Sequence, residues 1–271
     1  MKTFKIAIHG VPRSGTSWVG SIFDSSKNVI YRHQPLFSYV FKSFLNTSSS
    51  KEDINAFFKK MSLSNDDFIT QKNEKETGLI PVFDKNEITH FIYKEARYHH
   101  ILNNFLEKDD EAKVVGIIRN PKSVIYSWIN APREFIKEEW QVLTEWEKAP
   151  KKNKGAIEEF YGYRKWKEVA INFLKLKEKY PDRFYILDYK VLLKDTEEEV
   201  RKMFSFCDLD LGFQTLDFIR NGQKKDLSTH AYSVFRLNQK DDKWKGNLPN
   251  EIIEKINNDL TGTLLEQFLD E

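Results

Sequence analysis

The chain has one cysteine, Cys207, so an intrachain disulfide and a disulfide-stabilised secreted scaffold are excluded. No apolar run reaches the roughly 18 residues of a transmembrane helix, so no membrane span is predicted. Neither sign of charge dominates, because 43 Lys and Arg face 41 Asp and Glu. That balance argues against a general nucleic-acid binder, which needs a strong basic excess.

The sequence also lacks the marks of secretion and of a metal site. Lys2 and Lys5 interrupt the short N-terminal apolar run, so no signal peptide is expected, and a cytoplasmic location with Cys207 as a buried thiol fits best. His99 and His100 are adjacent and cannot share one helix face. No other group of His, Cys or carboxylates has metal-ligand spacing, so we expect no metal.

What the chain does have is enough apolar residues for a core, at 40% of the sequence, and strands that alternate with helices. This alternation predicts an α/β fold with a central parallel sheet flanked by helices. With no repeat and no linker, we expect a single domain over residues 1–271. The strands are predicted at 6–9, 29–31, 89–94, 113–119 and 184–187. The main helices are predicted at 17–25, 36–45, 51–61, 122–129 and 158–180, after a capping box at Thr196 and Glu199, and from 249.

The first predicted strand runs into a loop that carries Gly10 and Gly15 and leads into a helix. A strand, a glycine loop and a helix N-terminus direct backbone N–H groups toward a phosphate. The spacing is close to a Walker A loop, but Thr16 stands where that loop has lysine, and the cation is Arg13 instead. The loop therefore predicts a phosphate site, with a tight turn in an unrelated α/β protein as the alternative.

A second candidate phosphate site follows the predicted strand 113–119. Arg119 ends that strand, and Ser127 lies eight residues later in a predicted helix. An arginine and a hydroxyl can hold a phosphate, although a surface arginine and a serine bonded to its own turn are the alternative. Because ligands bind at the carboxyl ends of parallel strands, residues 10–17, 32–34, 94–97 and 119–120 should share one rim.

These two motifs carry a family resemblance. Residues 12–18, Pro-Arg-Ser-Gly-Thr-Ser-Trp, resemble the 5′-phosphosulfate loop of sulfotransferases that use 3′-phosphoadenosine 5′-phosphosulfate (PAPS). The Arg-Asn-Pro and Ser of residues 119–127 are similar to the family's 3′-phosphate motif, and later segments at 185–207 and 243–248 also resemble it. The resemblance implies a P-loop-type three-layer fold and PAPS as the sulfuryl donor.

Carried over to this sequence, the resemblance assigns donor contacts. Arg119 and Ser127 would hold the 3′-phosphate, and Lys245 lies in a segment expected to close over the nucleotide. Trp18 would stack on the adenine, and Arg13 would also stabilise charge on the leaving phosphate. The residues expected around the 5′-phosphosulfate are Arg13, Ser14, Gly15, Thr16, Ser17 and Trp18.

The acceptor side is less defined by the resemblance. An arginine-type loop favours a carbohydrate hydroxyl, and the Trp- and Tyr-rich segment 140–166 could stack on sugar rings. Sulfuryl transfer calls for a base, and Gln34 stands where carbohydrate-directed members often have Glu, so that role does not carry over. His33 is the first candidate for the base and Glu95 the second, while Lys94 and Arg97 either neutralise charge or are solvated.

Two other functions stay open at this point. A nucleotide or small-molecule kinase would use a similar loop, but the missing Walker lysine and the lack of an evident Walker B Asp argue against it. A non-catalytic nucleotide-binding module would need neither His33 nor Glu95 near an acceptor. The sequence does not specify an oligomeric state.

Overall fold

The computed structural model describes residues 3–222 and 240–269. Five parallel strands form one sheet in the order β2-β3-β1-β4-β5. β1 lies at the centre, between β3 and β4. The strands β2 and β3 lie on one side of β1, and β4 and β5 lie on the other. The strands are β1 Phe4–His9, β2 Val29–His33, β3 His90–Glu95, β4 Lys113–Ile118 and β5 Phe184–Asp188.

Helices cover both faces of the sheet, so the predicted α/β architecture with a parallel sheet is confirmed. The helices are α1 Thr16–Asp24, α2 Lys51–Leu63, α3 Asp67–Thr70, α4 Lys72–Glu76, α5 Leu102–Lys108, α6 Pro121–Ile129, α7 Val142–Glu145, α8 Gly162–Lys179, α9 Tyr189–Lys194, α10 Thr196–Phe206, α11 Phe213–Gly222 and α12 Asn250–Leu260. Across residues 3–222 and 240–269, none of them combines the length and apolarity needed to span a bilayer.

Two apolar clusters occupy the two faces of the sheet. Alternate side chains of a strand point to opposite faces, and β1 follows this rule: Ile6 and Ile8 enter one cluster and Ala7 the other. The first cluster lies under α1, α9 and α10, and the second under α2, α5, α6, α8 and α12. Burial on both faces explains why β4 is almost wholly apolar, as parallel strands usually are.

Two helix predictions differ from the structure. The predicted helix 36–45 is only a 3₁₀ turn, Pro35–Phe37, because Ser38 turns the chain by donating from its hydroxyl to the Pro35 carbonyl at 2.6 Å. The helix predicted from 158 begins at Gly162, after turns that bury Tyr161. Gly162 has φ +82, and a Cβ there would lie 2.8 Å from the Glu147 carbonyl, so this start requires glycine.

The predicted capping box at Thr196 is wrong. Asp195 is the N-cap of α10, and its carboxylate accepts from the Glu198 N–H at 3.1 Å. Thr196 donates instead to the Leu192 carbonyl, and Glu199 accepts from the Tyr185 hydroxyl at 2.7 Å. The preceding helix α9 ends so close to α10 that Thr196 still bonds to it, which leaves the cap to Asp195.

Candidate active site

A cavity of about 620 Å³ opens at the edge where the strands end. Its wall contains side chains that follow β1, β2, β3 and β4, so the predicted shared rim is present. Among the predicted rim members, Arg32 lies outside the cavity wall: it donates to the carbonyls of Met61, Ser62 and Ser64 and so caps the end of α2. Six of the side chains around the cavity are Lys or Arg and two are Glu. They are Arg13, Lys94, Arg97, Arg119, Arg133 and Lys152, with Glu74 and Glu134.

The loop between β1 and α1 forms one wall. Gly15 is the N-cap of α1 with φ +93, and a Cβ there would overlap the Tyr189 ring, so only glycine fits. Gly15 provides no side-chain cap for the first turn of α1. The first turn, including Thr16, Ser17 and Trp18, therefore presents a helix N-terminus to the cavity, as a phosphate site requires.

Arg13 joins the two sequence motifs. It has φ +72, and its Nε donates to the Ser127 Oγ at 3.1 Å, while a terminal nitrogen lies 3.2 Å from the Glu134 carboxylate. The positive φ directs the side chain back across the loop toward α6, where Ser127 lies. The loop cation and the serine of the second motif therefore face the same space.

Arg119 also lies at this wall, and protein groups hold its guanidinium. Both carboxylate oxygens of Asp241 accept from it, the Nε contact being 2.8 Å, and its NH1 donates to the Arg13 carbonyl at 2.7 Å. The guanidinium also lies 4.9 Å from the centre of the Tyr189 ring. The two predicted phosphate ligands, Arg13 and Arg119, are therefore linked to each other through the loop backbone.

Three other predicted donor residues have different positions. Trp18 is buried but lines the cavity, with its ring edge-to-face against Tyr189 at 5.9 Å. Ser14 is buried and donates to the Val11 carbonyl at 2.7 Å, so its hydroxyl serves the loop. Lys245 is exposed near the Trp244 ring and is not among the residues that line the cavity.

Lys94 is the next-to-last residue of β3, which pairs with β1 on the side opposite β4, and it is 2% exposed. Its ammonium lines the cavity but makes no hydrogen bond or ion pair within 4 Å to any of the described residues. Burial lowers the pKa of its ammonium, and the Arg13 charge acts in the same direction, while Glu95 and Glu134 oppose the shift. Lys94 is therefore a desolvated cation beside the loop arginine.

His33 is the last residue of β2, two residues further than the predicted strand end, and it pairs in register with Lys94. Burial, followed by the Lys94 charge, lowers the pKa of its imidazole well below 6.5, so it is neutral at pH 7. Its Nε2 lies 3.0 Å from the amide nitrogen of Gln34, which donates to it and so leaves the ring proton on Nδ1 in this arrangement. Its Nδ1 is buried and has no partner among the described residues. When the Gln34 amide oxygen faces Nε2–H, Nδ1 is left as a free proton acceptor.

Glu95, the second predicted base, is buried and absent from the described cavity wall. Its Oε1 accepts from the Leu36 N–H at 2.7 Å, so it holds the turn that follows β2. Burial raises the pKa of this carboxyl, and Lys94 and the backbone donors oppose that effect. Its position is that of a support for the turn carrying Gln34 and Phe37.

A third wall was only partly predicted. Arg97 lies with its guanidinium 4.4 Å from the centre of the Phe37 ring and 5.5 Å from that of Tyr161. Lys152 belongs to the same wall, and its ammonium lies 5.1 Å from the centre of the Tyr161 ring. Tyr161 belongs to the aromatic segment 140–166, but no motif marked Lys152. Glu134 and Asp241 were missed as well, since their partners are distant in sequence.

Within residues 3–222 and 240–269, no group of three or more His, Cys, Asp or Glu side chains is arranged to hold a metal ion. The Cys207 thiol is buried and free, and burial raises its pKa.

A model of the sulfotransferase domain matches residues 4–268 of the 271-residue chain. The chain belongs to the sulfotransferase family. The family resemblance of the two motifs is thereby confirmed, and it extends over nearly the whole sequence. No curated protein matches the sequence.

Solved sulfotransferase structures share the fold at low identity. Mouse sulfotransferase SULT7A1, complexed with PAP, is 14% identical with a TM-score of 0.56, over 98% of this chain and 88% of that one. The sulfotransferase domain of the Synechococcus PCC 7002 olefin synthase is 16% identical with a TM-score of 0.53, over 94% of each chain. A retinol dehydratase in complex with retinol and PAP is 15% identical with a TM-score of 0.56, over 98% of this chain and 83% of that one.

Proposed function

We propose that this sulfotransferase transfers the sulfuryl group of PAPS to a hydroxyl of a carbohydrate acceptor. The observation that carries the proposal is the meeting of Arg13, Ser127 and Arg119 at the N-terminus of α1, in one cavity with Lys94 and His33. Two of the structural neighbours were solved with PAP, the product that PAPS leaves after transfer. The arginine-type loop and the aromatic wall with Phe37 and Tyr161 support a carbohydrate acceptor.

The topology divides the cavity into two sides. The phosphate loop after β1 and Arg119 after β4 form the donor side, on which the 5′- and 3′-phosphates of PAPS would lie. Lys94 and His33 lie at the ends of β3 and β2, across β1, and form the acceptor side. The sulfuryl group would therefore lie between Arg13 and Lys94, next to His33.

In the reaction, the acceptor oxygen forms a bond to sulfur while the bond from sulfur to the phosphate oxygen of PAPS breaks. Charge develops on that leaving oxygen, where the loop amides and Arg13 stabilise it, and Lys94 lies on the sulfuryl side. In our scheme the Gln34 amide turns its oxygen to His33 Nε2–H, and the acceptor proton then passes to Nδ1, which has no other partner among the described residues. The products are the sulfate ester, PAP and one proton.

The 3′-phosphate has a competitor in the protein. Asp241 holds the side of Arg119 that a phosphate would use, so binding would exchange a carboxylate for the 3′-phosphate. Charged hydrogen bonds of this kind favour a nucleotide with two phosphate groups on the ribose over one with a single phosphate.

The donor is tested by thermal unfolding with PAP, or with ATP and Mg²⁺, each against the protein alone. A ligand that binds only the folded state raises the midpoint, by about 2.7 kcal/mol of stability at a hundredfold excess over Kd. We expect PAP to raise the midpoint in the presence of a chelator. Stabilisation by ATP and Mg²⁺ alone would support a kinase, and PAP binding without sulfuryl transfer to any hydroxyl would support a binding module.

A further inference from the structure

The acceptor side of the cavity contains more positive charge than the sulfuryl group accounts for. Arg97 and Lys152 line the same cavity as Lys94. Arg97 follows the end of β3, and Lys152 belongs to the segment that precedes α8. No carboxylate of the described residues lies within 4 Å of either cation. Neither cation has an ion-pair partner at that range, and the Glu134 carboxylate in the same cavity acts on Lys152 from farther away.

Aromatic rings hold both cations in place. The Arg97 guanidinium lies between Phe37 and Tyr161, and one of its nitrogens donates to the Tyr161 hydroxyl at 3.4 Å. The Lys152 ammonium lies over Tyr161 and, at 5.8 Å, Trp140. Ring faces orient a cation without neutralising it, so both groups keep hydrogen-bond donors for a ligand.

The two cations also oppose each other. Burial lowers the pKa of Lys152, Glu134 opposes this shift, and the Arg97 charge adds a smaller lowering effect. Both cations lie within 5.5 Å of the Tyr161 ring centre and line the same cavity, so an anion bound there is attracted by both charges. An anionic group at this position would relieve that repulsion and accept hydrogen bonds from both side chains.

We infer that Arg97, Lys152 and Tyr161 form a binding site for an anionic substituent of the acceptor, a carboxylate or a sulfate ester. This inference rests on the proposed function, because it assumes that the acceptor hydroxyl reacts near Lys94 and His33. Guanidinium and ammonium groups bind both substituents by charge-assisted hydrogen bonds. The acceptor is accordingly an acidic carbohydrate, a uronic acid or an already sulfated sugar.

The test compares three p-nitrophenyl glycosides that differ at C6: the β-D-glucoside, the β-D-glucuronide and the 6-O-sulfo-β-D-glucoside. Binding to the full chain is measured by isothermal titration calorimetry, with and without PAP, at two salt concentrations. The variants are Arg97→Gln and Lys152→Gln. Lys151→Gln is the matched control, because its exposed side chain is adjacent but outside the cavity wall.

We expect at least one anionic glycoside to bind the native protein at least about tenfold more tightly than the glucoside, with a smaller ratio at high salt. Arg97→Gln and Lys152→Gln should each remove most of this ratio, and Lys151→Gln should keep it. The arm that binds more tightly identifies the substituent as carboxylate or sulfate.

Equal binding of the three glycosides, no binding of any of them, or a ratio that survives both cavity substitutions overturns the inference. PAP affinity is measured in parallel for every variant and should not change, which shows that each variant is folded. If the native protein did not bind PAP, that result would instead count against the proposed function. The titrations without PAP would still decide the anion site.

Discussion

The donor and acceptor sides of the cavity hold their cations in different ways. On the donor side, Arg13 and Arg119 each pair with a carboxylate, Glu134 and Asp241, and each makes a further hydrogen bond within the protein. On the acceptor side, Lys94, Arg97 and Lys152 have no carboxylate within 4 Å among the described residues. Burial and ring packing hold them instead.

This difference teaches what each side is suited to. Carboxylate partners fix an arginine in one geometry and offset its charge while no ligand is bound, which suits one invariant donor. Lys94 and Lys152 have no such partner, and burial lowers the pKa of both, so their charge responds strongly to the charge and protonation of what binds. The acceptor side should therefore control pH dependence and acceptor choice, while the donor side should control nucleotide affinity.

The strongest test of this division is His33→Ala. We expect turnover to fall by about 10²–10⁴-fold, the usual contribution of a general base, with PAP affinity nearly unchanged because the donor side is intact. Steady-state kinetics and calorimetry measure the two effects. His100→Ala, which removes a histidine outside the cavity wall, is the control and should keep full turnover.

The same experiment distinguishes the two candidate bases. The pKa of His33 in the folded protein is lowered well below 6.5, so its imidazole is still neutral at pH 6.5. The acid limb of turnover should therefore lie below pH 6.5. Glu95→Gln should keep most of its activity, since that carboxylate supports the Leu36 turn. If Glu95→Gln lost turnover and His33→Ala retained it, the base would be Glu95. Activity in both variants would mean that neither takes the proton.

On the donor side, Arg119→Ala should weaken the binding of PAP by on the order of 2 kcal/mol. The binding of adenosine 5′-phosphate should weaken far less. Asp241→Asn should have the opposite effect and increase the affinity for PAP several-fold, because it removes the carboxylate that competes with the 3′-phosphate for Arg119. Calorimetry with both nucleotides measures the difference. Equal weakening of the two nucleotides by Arg119→Ala would make this arginine structural.

The smallest expected effect concerns Glu134, the carboxylate that lies between the two sides. Its charge raises the pKa of Lys94, which burial holds below 10.5. Glu134→Gln should lower the pKa of Lys94 further, so the Lys94 cation is lost at lower pH. The alkaline limb of turnover should move to lower pH. An unmoved alkaline limb would show that Lys94 does not set it, and Glu74→Gln serves as a control in the same cavity.

The strands and the phosphate loop were predictable from sequence because their signals are local. A run such as residues 113–118 is apolar at nearly every position, and the glycine spacing of residues 10–15 restricts the backbone whatever surrounds it. The predicted 36–45 helix failed because an apolar run does not distinguish a helix from buried turns. There Ser38 and the Glu95 carboxylate decide the conformation through hydrogen bonds.

The sequence by itself determined the α/β order of strands and helices and the two donor motifs, since each depends on residues close together along the chain. Only the tertiary structure decided the charge environment. It brings Glu134 to Arg13 across 121 positions, Asp241 to Arg119 across 122 and Arg97 to Tyr161 across 64. Electrostatic interaction and pKa depend on distance in space and on burial, and neither is encoded in the local spacing of residues.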